Sequence, residues 1–111
     1  MELTKDHFDI IYSILSFLEK RLDSTGAINT DFFNHATLGI SKERFTSYLE
    51  MLCDSGFIKG VEITDYLSAV SVDYSNMKIT LKGLEYLADS TQMQRAYKTV
   101  KKLTDVVHPL V

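Results

Sequence analysis

Apolar residues in the first part of the chain recur at helical spacing. Phe8, Ile11, Leu15, Leu18 and Leu22 form one stripe, and Ile10, Ile14 and Phe17 form a second beside it. This predicts a helix from Thr4 or Lys5 to about Asp23, with Thr4 as N-cap. At about 100° per residue the two stripes cover more than half the helix circumference, wider than one core-facing stripe. One face packs on the core. The other needs a cover, either another helix of this chain or a second copy. Ile10, Ile14 and Phe17 are therefore the candidate dimer or partner face.

Ser24-Thr25-Gly26 ends this helix. Asn29 or Thr30 caps a short second helix, Thr30 to about Ala36, with Phe32 and Phe33 facing inward. Thr37-Leu38-Gly39-Ile40 reads as a tight turn. A third helix then runs from an N-cap at Ser41 to a left-handed Gly56, with Phe45, Tyr48, Leu49 and Leu52 as its apolar stripe. Phe57 to about Thr64 reads as a strand, rich in β-branched residues. Asp65-Tyr66-Leu67-Ser68 is the expected loop. Val70, Val72 and Tyr74 alternate with polar residues, as in a half-buried return strand. Ser75-Asn76 marks a turn. Thr80 is the N-cap of a fourth helix carrying Leu81, Leu84 and Leu87 on one face. Gly83 costs about 1 kcal/mol inside a helix relative to Ala, so its expected reason is close approach of a neighbouring backbone. Ser90-Thr91 separates this helix from a fifth, Gln92 to about Val107, with Met93, Ala96, Tyr97, Val100, Leu103 and Val107 as its stripe. Pro109 stops it. Helix–turn–helix–Gly–strand, followed by a return strand, predicts a mainly helical α+β fold. The expected architecture is a winged helix-turn-helix with a two-stranded wing and an additional C-terminal helix.

Three stretches together resemble a known family. They are Cys53-Asp54-Ser55-Gly56-Phe57-Ile58-Lys59-Gly60 after the third helix, Ile79-Thr80-Leu81-Lys82-Gly83-Leu84-Glu85-Tyr86-Leu87, and Gln94-Arg95-Ala96-Tyr97-Lys98-Thr99-Val100-Lys101. With the spacing between the first two, they are similar to the YjcQ-like family, small winged-helix proteins of Gram-positive bacteria and their phages. The resemblance covers most of the chain. It implies the fold and a phage or prophage connection, and it brings no established activity.

With 111 residues, one domain (1–111) and one core are expected. The single cysteine, Cys53, excludes an intramolecular disulfide. No apolar run approaches the roughly 20 residues that span a bilayer. The first residues carry Glu2 and Asp6 and lack a cationic start, so a cytoplasmic location is expected. Net charge is −3, and it is uneven. Residues 1–55 hold five Lys/Arg against nine Asp/Glu, whereas residues 81–111 hold five against three.

His7, His35 and His108 have no metal-ligand spacing. Cys53 precedes Asp54, which raises a thiol pKa. No phosphate loop or nucleophile elbow is present. The chain thus reads as non-enzymatic, with no cofactor and no metal. Two functional readings follow. The first is a protein-interaction or dimerisation module. The second is a regulator that binds duplex DNA through the third helix and the wing, with Ser41, Lys42, Arg44, Ser47 and Lys59 as its contacts. Against the second stand Glu43, Glu50 and Asp54 on the outward face of the same helix, where phosphates would repel them.

Overall fold

The third helix ends, and the fourth begins, at one point in space. The computed structural model of the chain describes residues 7–67 and 69–107, with side chains through Thr99. Thr4, Ser68, His108 and Pro109 lie outside the described residues, as do the side chains of Val100, Lys101, Lys102, Leu103 and Val107. In chain order the elements are α1 (His7–Lys20, closed by a 3-10 turn, Arg21–Asp23), α2 (His35–Leu38), α3 (Lys42–Asp54), β1 (Ile58–Lys59), β2 (Glu62–Tyr66), β3 (Ala69–Asp73), β4 (Lys78–Ile79), α4 (Leu81–Asp89) and α5 (Thr91–Val107). The fold is mainly helical α+β, of winged-helix-like type.

Ser41 caps α3, its hydroxyl accepting the Arg44 N–H at 3.0 Å. At the other end Gly56 is left-handed, with φ +80°. The Gly56 N–H donates to the Cys53 carbonyl and the Phe57 N–H to the Leu52 carbonyl, a complete Schellman closure. Thr80 then ties α4 to this closure. Its hydroxyl donates to the Gly56 carbonyl, its N–H donates to the Phe57 carbonyl, and its side chain accepts the Gly83 N–H. A Cβ on Gly83 would strike the Phe57 carbonyl oxygen and Ile79 Cγ1. Gly83 is there for the expected reason, a neighbouring backbone. The Phe57 ring stacks on Tyr86, centroids 4.4 Å apart, with the Lys82 ammonium 5.8 Å from the ring centre.

β1 pairs antiparallel with β4, Ile58 opposite Ile79. β2 pairs with β3 as a separate ribbon, from Glu62 opposite Asp73 to Tyr66 opposite Ala69. The sequence reads one strand from Phe57 to Thr64. Gly60, at φ +87° and hard against the Asn76 carbonyl, breaks it in two, and Tyr74–Met77 breaks the return. β2 also runs two residues further than expected, to Tyr66. Lys78–Ile79 is a strand that alternation did not reveal, because two residues carry no period.

Ile10, Ile14, Leu15, Leu18, Leu49, Leu52 and Met93 are among the buried core. Ile10 and Ile14 are fully buried, and Phe17 stacks on Phe33 with centroids 3.9 Å apart. The second stripe of α1 is therefore intramolecular and offers no dimer seam. Its cover is the Phe33 segment on one side and α5 on the other, where Met93 and Ala96 are buried and Tyr97 meets Tyr12 edge to face. The α1–α3 contact is closed by His7 Nδ1 and the Tyr48 hydroxyl at 2.6 Å.

Two further expectations change. The second helix begins at His35 rather than Thr30. Asn34 is extended, its side-chain oxygen accepts the Thr37 N–H, and its own N–H donates to the Thr37 hydroxyl oxygen, a reciprocal capping box that sets the helix start here. Residues 29–33 form a turn closed on the Asn29 carbonyl. Phe33 is buried, whereas Phe32 is 77% exposed. On α4, Leu84 and Leu87 are half-buried, but Leu81 at the first position faces solvent.

Gly83→Ala is expected to destabilise the fold by about 1–3 kcal/mol, from overpacking against backbone. Helix propensity alone predicts a gain of about 1 kcal/mol. Leu52→Ala, a buried truncation, should cost about 2–5 kcal/mol and serves as the reference. Chemical denaturation reads both, and a stabilised Gly83→Ala chain would rule out the close approach.

Candidate interaction face

The outward side of α3 and the β2–β3 hairpin leave most of their side chains in water. On α3 the buried stripe turns Lys42, Glu43, Arg44, Ser47, Glu50, Met51 and Asp54 outward, all exposed. Of the residues proposed for DNA, Ser41, Lys42, Arg44 and Ser47 do come together on the first two turns. The Ser41 hydroxyl is already engaged by the Arg44 N–H. Lys59 does not join them. The Val61 backbone comes up against the Cys53 thiol, which places the segment bearing Lys59 by the last turns of α3. There Lys59 stands opposite Lys78.

The hairpin is exposed over almost its whole length, on both faces. Isolated two-stranded ribbons are marginal in water, and burial usually supports them. Here only its base is held. Val72 and Tyr74 reach the core, and the Tyr74 hydroxyl donates to the Phe33 carbonyl at 2.7 Å. Burial pushes the Tyr74 phenol up from its ordinary pKa. Beyond this base stand Tyr66, Leu67 and Val70, large apolar side chains in water. Tyr66 is 70% exposed and Leu67 89%.

Leu67 also has φ +56°, alone among the described non-glycine residues. A two-residue connection between antiparallel strands demands such a backbone, and Gly, Asn or Asp ordinarily supplies it. A left-handed leucine costs about 1–2 kcal/mol. It also exposes an isobutyl group, so it serves the free protein worse than asparagine would. The sequence reading missed this feature. The signal was present, an apolar pair in a turn with no Gly, Asn or Asp at its centre.

Between α3 and the hairpin lies a groove of about 510 Å³, lined by Lys42, Glu43, Thr46, Glu50, Ala69 and Val70. The two elements that form it carry more carboxylates than cations. Glu43, Glu50 and Asp54 stand on α3, and Glu62, Asp65 and Asp73 stand on the hairpin. Asp73 accepts the Ser75 hydroxyl at 2.7 Å and the Ser75 N–H at 3.0 Å, which hold its carboxyl below the usual range and keep it charged.

The groups weighed for catalysis are arranged otherwise. Burial, then the neighbouring Asp54 carboxylate, pushes the Cys53 thiol up despite a backbone contact from Val61. That disfavours the thiolate a nucleophile requires. His7 meets Tyr48 and His35 meets the Ile40 carbonyl. No group of three or more His, Cys, Asp or Glu among the described residues is placed to hold a metal ion. No helix among them is long and apolar enough to cross a membrane.

A family model described as YjcQ protein matches residues 12–106. No curated protein and no solved structure matches the chain.

Leu67→Asn should relieve the backbone cost at the tip. Hydrogen exchange of hairpin amides is expected to slow about two- to fivefold, equivalent to roughly 0.5–1 kcal/mol. The global denaturation midpoint should stay unchanged. Faster exchange would mean that Leu67 supports the hairpin rather than burdening it.

Proposed function

The chain belongs to the YjcQ family, and we propose that it works as a non-enzymatic protein-interaction module whose contact surface is the hairpin tip and the adjoining outward side of α3. One observation carries this reading: Tyr66 and Leu67 stand in water at the end of a projecting ribbon, Leu67 in a backbone conformation unfavourable to leucine. Large exposed apolar side chains gathered at one site, beside a groove, mark a surface that another macromolecule covers. Aromatic residues at such a tip are the typical anchors of protein contacts. No catalysis is assigned to the chain.

A photoreactive benzoylphenylalanine in place of Tyr66 is expected to give a discrete cross-linked species in an extract of the cells that make the protein. Excess wild-type chain should displace it. The same group at Lys20, exposed at the end of α1, serves as control. Equal products at both positions, or none at position 66, would sink the reading.

A second reading has its own observation, the exposed cluster Ser41, Lys42, Arg44 and Ser47 at the start of α3. That end of a recognition helix reaches bases in helix-turn-helix proteins. With three or four phosphate contacts per protomer, the slope of log K against log salt should be shallow, about −3 to −4. Arg44→Ala should weaken specific binding more than Lys42→Ala, since only a guanidinium offers a fork to guanine. Glu50→Lys should strengthen binding to random duplex. Fluorescence anisotropy at about 50 mM salt decides. Silence from both the wild type and Glu50→Lys would remove DNA.

A further inference from the structure

We infer that the segment docking on this face is a positively charged stretch of another protein, with apolar side chains set among its lysines and arginines. The inference rests on the interaction reading above and goes on to the chemistry of the partner.

The apolar part follows from the tip. Tyr66, Leu67 and Val70 offer aliphatic and aromatic surface that only apolar groups cover favourably. The charge follows from what surrounds it. Six carboxylates, those of Glu43, Glu50, Asp54, Glu62, Asp65 and Asp73, stand on α3 and the hairpin, against two cations, Lys42 and Arg44. The hairpin from Glu62 to Asp73 contains no Lys or Arg at all. Within it Glu62 lies opposite Asp73 at the base of the ribbon, and Asp65 lies opposite Val70, which lines the groove.

The same charges disfavour the other occupants. A second copy meeting this face about a two-fold axis brings each carboxylate cluster against its own image. A nucleic acid brings phosphates to the same carboxylates. A basic, apolar segment answers both features at once. The groove is short. Glu43 and Glu50 are seven residues apart on α3, about 10 Å at 1.5 Å per residue. A few extended residues, or two turns of helix, fill it.

The experiment selects random dodecapeptides displayed on phage against the wild-type chain, with the Tyr66→Ser/Leu67→Asn chain used to remove binders that ignore the tip. The enriched peptides are expected to carry net positive charge with apolar anchors. Amide shifts on titration should map to residues 42–50 and 62–73. Glu43→Lys/Glu50→Lys should weaken these peptides by about tenfold or more, and so should raising salt through the range where surface charges are screened. Enriched peptides that are neutral or acidic, yet need Tyr66 and Leu67, would overturn the basic partner and leave the interaction reading standing. No enrichment that depends on the tip would remove both. A dimer in sedimentation that Leu67→Asn dissolves would make a second copy the occupant, and duplex DNA that displaces the selected peptides would make nucleic acid the occupant. Either would overturn the inference.

Discussion

Thr80 holds the fold together at the point where α3 stops. One side chain and one N–H satisfy the carbonyls of Gly56 and Phe57, the two residues whose N–H groups close α3. The same hydroxyl caps α4. The close approach needs Gly56 in the left-handed region and Gly83 without a side chain. From this junction β1 and β4 take their register, Ile58 beside Ile79. α4 and α5 then lie where α1 needs a cover. Remove the junction, and the two halves of the chain lose their common origin.

Features that depend on a few neighbouring residues were legible in the sequence. Ser41, Gly56 and Thr80 act as the expected caps, because capping is local chemistry. The α3 stripe is buried as read. What escaped were outcomes of competition between distant segments. The second α1 stripe looked unpartnered because nothing local announces that Phe33 will stack on Phe17. The predicted strand ran past Gly60 because that glycine's constraint, the Asn76 carbonyl, lies on the far side of the hairpin. Phe32 and Phe33 looked equivalent until Asn34 claimed the helix start. At the candidate face, the exposed cluster on α3 was readable from the helical wheel. Its union with the hairpin into one groove was not, since that depends on the angle at which the ribbon leaves the body.

A winged-helix-like element order does not by itself decide what the surface meets. A fold supplies a scaffold, and function resides in the groups placed on it. Here the recognition-helix position presents Glu43, Glu50 and Asp54 along with its few cations, and the wing presents carboxylates and hydrocarbon.

The break at Gly60 and Tyr74–Met77 has a consequence for how such a protein diversifies. It leaves the ribbon anchored at its base alone, through Val72 and Tyr74, with the rest in water. The described residues from Glu62 to Val70 are exposed, so exchanging them alters little of what the helices bury. The body then acts as a fixed handle and the ribbon as an interchangeable bit, so that a new specificity requires rewriting only one short, contiguous stretch of the gene.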